Sequence, residues 1–119
     1  MRILITGSTG FLATSFARFA ARNGHEIAGI GRASETGSDW PGAYVQVNND
    51  VVRTTEVIDR FSPEIVFHGA GTASVGASFA DPLQDFEGSV VTCEKLLAAV
   101  HRSTCRPLIF VPSSAAVYG

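Results

Sequence analysis

The sequence predicts an α/β fold with a parallel five-stranded sheet, and three observations support this prediction. Strand-like and helix-like segments alternate along the chain, and no hairpin signal joins any two strands. Hydrophobic residues make up 45% of the 119 residues and charged residues 17%, a balance that suits a small domain with a buried sheet. A glycine-containing turn, GSTG, separates the first strand from the first helix. Together these features indicate strands joined by right-handed helical crossovers.

The first two predicted strands flank a short helix. The run RILIT at residues 2–6 predicts the first strand, and residues 27–30 predict the second, which closes at Gly31. Between them, Asn23-Gly24 provides a helix stop. The apolar residues of that helix recur at helical spacing, at Leu12, Phe16, Phe19 and Ala20.

The middle of the chain repeats this pattern with shorter elements. Residues 32–43 form a polar loop with Gly and Pro, and residues 44–47 predict the third strand. A modest helix ends at Pro63 and is indicated by Asp50, Val57, Ile58 and Phe61. Residues 65–68 predict the fourth strand, and a loop of small residues follows at 69–77.

The longest predicted helix covers residues 82–101. Asp81 suits its N-cap and Pro82 its first helical position. Its apolar residues alternate at steps of three and four and form one stripe, made of Leu83, Phe86, Val90, Cys93, Leu97 and Val100. Residues 108–111 predict the fifth strand.

The turn after the first strand has the features of a phosphate-binding loop. Gly7 permits the tight turn, Gly10 lets backbone N–H groups approach a pyrophosphate, and Ala13 is small enough for close helix–strand packing. The positive end of the helix dipole would add to anion binding. The alternative is an ordinary strand–helix turn rich in small residues. The position of the turn favours a dinucleotide-binding, Rossmann-type fold.

Three segments resemble one protein family. TGSTGFL, DPLQDF with VVTCEKLLAAV, and LIFVPSSAAVYG are similar to motifs of the extended short-chain dehydrogenase/reductases, the NAD-dependent epimerase/dehydratase family. The resemblance implies the strand order 3-2-1-4-5. It also implies that residues 1–119 are an incomplete, N-terminal NAD(P)-binding domain, without the C-terminal strands and the substrate domain. We therefore expect the cofactor-binding part of a nucleotide-sugar epimerase, dehydratase or reductase.

The resemblance also implies a set of cofactor-binding residues. These are Gly7, Thr9, Gly10, Phe11, Leu12, Arg32, Asp50, Val51, Ala70 and Gly71. Arg32 follows the second strand, where an acidic residue would bind the ribose of NAD. An arginine there can pair with a 2′-phosphate, so NADP is slightly favoured over NAD, and the alternative is a solvated loop arginine. Asp50 and Val51 would meet the adenine, although Asp50 also suits a helix N-cap.

The catalytic residues implied by the resemblance are incomplete. Ser114 matches the Ser or Thr that polarises the sugar carbonyl, while Ser113 and Tyr118 match residues beside the substrate. The family's base is a Tyr-x-x-x-Lys pair, which these 119 residues do not contain, so we expect the chain to be inactive alone. Two departures from the family pattern are the sequence HGAG at residues 68–71 and Ser89 in place of an asparagine. His68 is expected to be buried and hydrogen-bonded.

Charge and hydropathy argue against two classes of function, nucleic-acid binding and membrane spanning. The net charge of -2 gives no sign of nucleic-acid binding, and no apolar run is long enough for a membrane span. We expect a cytoplasmic protein with Cys93 and Cys105 reduced, and no metal site. The stripe on the 82–101 helix resembles the family's dimerisation surface, so we expect a homodimer or other self-association. The alternatives are a non-catalytic NAD(P)-binding or sensing module, and a degenerate product that binds nothing.

Overall fold

A single parallel sheet forms the centre of the computed structural model, which describes residues 1–119 except for the side chain of Ala115. Its strands are β1 (Arg2–Thr6), β2 (Glu26–Gly31), β3 (Ala43–Gln46), β4 (Ile65–His68) and β5 (Leu108–Phe110). Every strand pair is parallel, and the order is β3-β2-β1-β4-β5. The predicted fold class and strand order are confirmed.

The strands are joined by helices at or near the predicted positions. The helical segments are α1 (Phe11–Arg22), α2 (Val51–Phe61), α3 (Val75–Ala80), α4 (Pro82–Phe86), a π-helical turn (Glu87–Val91), α5 (Thr92–Arg102) and a 3₁₀ turn (Ala115–Tyr118). The predicted helix stop is confirmed, because Asn23 is the C-cap of α1 and Gly24 has a φ of +83°. Asp50 and Asp81 cap α2 and α4, accepting hydrogen bonds from the N–H groups of Arg53 and Gln84.

Helix α3 lies within and beyond the segment predicted as a loop, and the sequence pattern missed it. It is six residues long and buries no side chain, so it has no apolar periodicity to detect. Its N-terminus is fixed by Ser74, whose Oγ accepts a hydrogen bond from the N–H of Ala77 at 3.2 Å.

Two hydrophobic clusters sandwich the sheet. On one face, α2 and α5 cover β-strand residues in a cluster of Leu4, Ala28, Ile30, Val47, Ile58, Val66, Leu96, Ala99 and Val100. On the other face, α1 packs in a cluster of Ile3, Ile5, Ala13, Ala17, Ala20, Ile27 and Phe67. Leu4 and Ile5 on β1 are fully buried, one on each face, which makes β1 the centre of the domain.

The buried face of α1 agrees only in part with the predicted stripe. Ala20 is buried and Phe16 packs against the same cluster, while Leu12 and Phe19 are mostly exposed. The face against the sheet is made of Ala13, Ala17 and Ala20, and the predicted packing of the small Ala13 side chain is confirmed. Small side chains let the helix approach the strands closely. This close approach brings the N-terminus of α1 down to the ends of β1 and β4.

The predicted 82–101 helix is helical throughout but is not a regular α-helix. The five-residue π turn at Glu87–Val91 adds a residue to one turn, so side chains before and after it no longer share the same phase. Consequently α5 buries Leu96, Ala99 and Val100, and the predicted stripe coincides with this face only at Val100. Most of the stripe lies in solvent, including Leu83, Phe86, Val90 and Leu97.

Candidate functional site

A cleft of about 500 Å³ lies at the carboxyl ends of the first four strands. The strand order reverses between β1 and β4, which is where open α/β sheets bind their ligands. The sequence-predicted residues that line this cleft are Gly7, Thr9, Gly10, Arg32, Ala70 and Gly71. Those that do not line it are Phe11, Leu12, Asp50, Val51, Ser113, Ser114 and Tyr118.

The floor of the cleft depends on close backbone approach at Gly7. Gly7 has a φ of +69°, a conformation that residues with a Cβ rarely adopt. A Cβ at this position would lie 2.6 Å from the backbone nitrogen of Ala70 and 2.7 Å from its Cα. Glycine therefore satisfies both the turn after β1 and the contact with the loop after β4.

The turn after β1 is fixed by the buried side chain of Ser8. Ser8 Oγ lies 3.0 Å from the carbonyl oxygen of Ile5 and 3.2 Å from that of Ile30, so its hydroxyl donates towards the ends of β1 and β2. The Gly10 N–H donates to the Gly7 carbonyl at 2.8 Å and closes the turn. With Ser8 turned inwards, the backbone of the loop forms the surface that faces the cleft.

The N-terminus of α1 is open to an anion. Its N-cap is Gly10, and no side chain accepts a hydrogen bond from the first-turn N–H groups. Helix α2, in contrast, is capped by the Asp50 carboxylate. Free N–H groups at the start of a 12-residue helix, joined by the positive end of its dipole, match the needs of a phosphate group.

A buried hydrogen-bond chain links β1 to the loop after β4. Thr6 Oγ1 accepts a hydrogen bond from the Ala70 N–H at 3.2 Å and lies 2.8 Å from Nδ1 of His68. Burial lowers the pKa of His68, which favours the neutral ring. His68 is buried and hydrogen-bonded, so the role predicted for it is confirmed.

Two cations and no carboxylate are among the residues that line the cleft. Arg32 follows β2, and Lys95 enters from α5. Asn49 also lines the cleft, whereas the carboxylate of its neighbour Asp50 accepts from the Arg53 N–H at 2.8 Å. Val51 packs against the core cluster that contains Ile58.

A polar network fixes the loop beyond β4. Thr72 lines the cleft and donates a hydrogen bond to Asp85, which also accepts one from Ser78 at 2.8 Å. The Thr72 and Ser78 hydroxyls lower the pKa of Asp85, in that order of effect. Ser89 Oγ lies 2.9 Å from Thr72 Oγ1, so the residue that replaces the family's asparagine belongs to the same network.

The residues assigned to catalysis and substrate binding lie beyond β5, outside the cleft. Ser113, Ser114 and Tyr118 are all exposed. Ser114 Oγ accepts a hydrogen bond from the Ala116 N–H at 3.2 Å and caps the 3₁₀ turn. Their assigned roles stay predictions.

Sequence reasoning did not single out several residues that line the cleft or hold it. These are Thr6, Ser8, Asn49, Thr72, Gly88, Thr92 and Lys95. Gly88 has a recognisable reason, since a Cβ there would lie 2.6 Å from Cγ2 of Thr72. The spacing of Gly88, Thr92 and Lys95 by four and three residues is the signal that could have placed them on one helix face.

The whole cleft lies within a recognisable family sequence. Residues 3–119 match the profile of the NAD dependent epimerase/dehydratase family. This chain belongs to that family. It is 31% identical to the UDP-glucose 4-epimerase of Mycolicibacterium smegmatis and 31% identical to the CDP-paratose 2-epimerase of Salmonella typhi, in both cases over 100% of this chain. It spans 41% and 38% of the lengths of those two relatives.

Solved structures agree with this assignment. The UDP-glucose 4-epimerase of Brucella ovis in complex with NAD superposes with a TM-score of 0.88 at 26% identity, over 99% of this chain and 37% of that one. The Stenotrophomonas maltophila enzyme, with bound NAD and formylated UDP-arabinopyranose, gives 0.85 at 25% identity, over 100% of this chain and 38% of that one. The predicted family resemblance is confirmed.

The residues that line the cleft fit a dinucleotide. Uncapped N–H groups and a glycine floor suit a pyrophosphate, and the cations suit further phosphate. Within the described part of the chain, no helix is long and apolar enough to cross a membrane. No three His, Cys, Asp or Glu residues lie together there as metal ligands.

We expect Gly7→Ala to destabilise the domain and weaken cofactor binding together. An L-residue at this φ costs about 1–2 kcal/mol, and the added Cβ would also push the Ala70 backbone away. The measurements are chemical unfolding and titration with NADPH. Gly76→Ala is the matched control, because Gly76 lies outside the cleft and has nothing within 4 Å of the added Cβ. Equal effects of the two substitutions would contradict this account.

We expect the stability of the domain to fall as the pH drops below about 6.5, partly through His68. Burial lowers the folded-state pKa of His68, so the unfolded chain binds more protons in the window between the folded and unfolded pKa values. Stability is therefore retained above the unfolded pKa and decreases below it, by up to about 1.4 kcal/mol per pH unit.

The variant His68→Asn keeps a hydrogen-bonding partner for Thr6 and removes this titration. Its free energy of unfolding should depend less on pH than that of the wild type between about pH 7 and 5.5. His101→Asn makes the same chemical change at an exposed position and is the matched control. A wild-type slope in His68→Asn would refute the role of His68.

Proposed function

We propose that this chain is the NAD(P)-binding part of a nucleotide-sugar epimerase, dehydratase or reductase. The observation that carries the proposal is the glycine-floored cleft at the β1–β4 switch point, which opens on the uncapped N-terminus of α1. Family membership and relatives named as sugar-nucleotide epimerases support the substrate class. The chain spans less than half of the length of those relatives, and the enzymatic activity of the whole protein is therefore proposed.

In this proposal the chain's residues bind and orient the cofactor. The α1 N–H groups hold the pyrophosphate, and Gly7 and Gly10 let it reach the backbone. The ring chemistry supplied by a bound nicotinamide is the removal and return of hydride. His68 and Thr6 fix the Ala70 loop beside it through their buried hydrogen bonds.

NADP is the cofactor that the charges favour. No Asp or Glu is among the residues lining the cleft, so the carboxylate that would bind the ribose of NAD has no counterpart there. Arg32 makes no salt bridge with the described residues, and its guanidinium is free to pair with a 2′-phosphate. The similar Brucella ovis and Stenotrophomonas maltophila structures contain NAD, which favours NAD instead. The affinities of this chain for NADPH and NADH distinguish the two cofactors.

We further propose that the chain alone binds cofactor without turning over a sugar nucleotide. The 119 residues contain no Tyr-x-x-x-Lys pair, because Tyr44 is followed four residues later by Asn48 and Tyr118 is the penultimate residue. Ser114, assigned to the carbonyl, lies in solvent. A non-catalytic sensing module would use the same cleft, so cofactor affinity does not separate the two functions, whereas turnover does.

We expect Arg32→Ala to weaken NADPH binding about tenfold and to leave NADH binding nearly unchanged. The substitution removes charge-assisted hydrogen bonds to a phosphate that only NADPH carries. Fluorescence titration of both cofactors measures the effect, with Arg22→Ala as control because Arg22 lies in the last turn of α1, outside the cleft. Equal wild-type affinities would refute the NADP preference. Conversion of UDP-glucose to its 4-epimer in the presence of cofactor would refute the proposed inactivity.

A self-associating surface is also proposed, on the face formed by α4, the π turn and α5. Leu83, Phe86, Val90 and Leu97 are each at least 47% exposed on these elements. Val90 and Leu97 line a shallow groove with Cys93 and Ala98, and the polar residues of its lining are Ser89, Glu94 and His101. Apolar side chains grouped in this way are typical of protein–protein contacts.

We expect Leu97→Asp to weaken self-association at least about tenfold, because a charge would be buried in the apolar contact. Leu97 is 47% exposed, so the fold of the single chain should survive. Sedimentation velocity measures the association. Val52→Asp is the matched control on α2, where Val52 is 53% exposed and lies outside the proposed surface. A monomeric wild-type chain at micromolar concentration would overturn the proposal.

A further inference from the structure

A second cation faces the cofactor cleft from helix α5. Lys95 lines the cleft together with Thr92 and Leu96, and these three residues are spaced to share one face of the helix. Lys95 is partly buried, in contrast to Arg102 at the exposed end of the same helix. Lys95 is therefore part of the cleft wall.

One hydrogen bond ties this face of α5 to the segment after β3. Thr92 Oγ1 accepts it from Asn49 Nδ2 at 3.5 Å, and Asn49 follows β3. Lys95 is one turn further along the same face, and it lines the same cleft as Asn49 and Arg32.

The charge of Lys95 is uncompensated within the described residues. Lys95 takes part in no salt bridge there, and no Asp or Glu is among the residues lining the cleft. A cation in a cleft wall that has no carboxylate partner can pair with an anionic group of the ligand that the cleft binds.

The pyrophosphate of a dinucleotide has its own site elsewhere. Its natural position is the uncapped N-terminus of α1, at the ends of β1 and β4. The N-terminus of α2, on the β2–β3 side, is already capped by Asp50. An anion beside Lys95 and Arg32 is therefore a further phosphate, on the ribose that lies at the end of β2.

We propose that Lys95 is a specificity-determining residue that, together with Arg32, binds the 2′-phosphate of NADP. This inference rests on the proposed dinucleotide function of the cleft. The guanidinium of Arg32 supplies paired N–H donors, and the ammonium of Lys95 supplies a compact charge from the facing helix. The two residues together make the β2–β3 side selective for a doubly charged substituent.

The experiment uses two adenosine probes that lack the nicotinamide. Isothermal titration of the chain with 2′,5′-ADP and with 5′-AMP measures the contribution of the 2′-phosphate alone. We expect Lys95→Met, which keeps most of the apolar stem, to weaken 2′,5′-ADP binding about tenfold and to leave 5′-AMP binding unchanged. Lys95→Arg should restore much of the affinity, and Arg102→Gln on the same helix should change neither probe.

Each contrary outcome identifies the step that fails. Equal weakening of both probes by Lys95→Met would assign Lys95 to the 5′-phosphate and overturn this inference. If the wild type binds both probes equally, selection of a 2′-phosphate is refuted while an adenosine site remains. If it binds neither, the proposed function itself is refuted. Thermal unfolding of each variant shows whether a loss of binding comes from a loss of fold.

Discussion

The cleft depends on how closely the backbone after β1 approaches the backbone after β4. A Cβ on Gly7 would lie 2.6 Å from the Ala70 nitrogen, so the two connections touch where only glycine fits. The same Ala70 N–H donates to Thr6, whose hydroxyl also meets His68. A short glycine contact and a buried hydrogen-bond chain thus hold the two halves of the sheet together at the point where a ligand would cross it. The open N-terminus of α1 lies directly above this contact.

Features with a local cause were predicted well from the sequence. β4 was placed at its observed residues because a short apolar run is bounded by Pro63 and by small residues. The caps Asp50 and Asp81 follow from residue chemistry at one position, as does the φ of Gly7. Strand order and family followed from several such motifs in sequence. Each of these signals is contained within a few neighbouring residues.

Features that depend on distant partners could not be predicted in this way. Of the four residues that periodicity indicated in α1, Ala20 and Phe16 pack in the core, but Leu12 and Phe19 are exposed because the alanine face lies against the sheet. The π turn before α5 shifts the helix phase, so the apolar stripe and the buried face separate. The polar network beyond β4 joins residues that are separated in the sequence and come together only in the folded chain, namely Thr72, Ser78, Asp85 and Ser89. These features depend on contacts between parts of the folded chain, which a short sequence pattern does not contain.

The residues around the proposed cofactor cleft are more deeply buried than those around Ser114, the proposed catalytic residue. β1 is packed on both faces and its loop is fixed by buried hydrogen bonds, so the cofactor side of the cleft is shaped by contacts within these residues. On β5, Leu108 and Phe110 are 67% and 56% exposed, and Ser114 follows this loosely packed edge. Polarising a carbonyl requires a hydroxyl positioned to a fraction of an ångström, which packing on both sides of its strand provides. The described contacts supply such packing at Gly7 and Thr6, and they do not supply it at Ser114. The proposed cofactor cleft is therefore packed by contacts within these residues, whereas Ser114, the residue proposed to polarise a carbonyl, lies exposed.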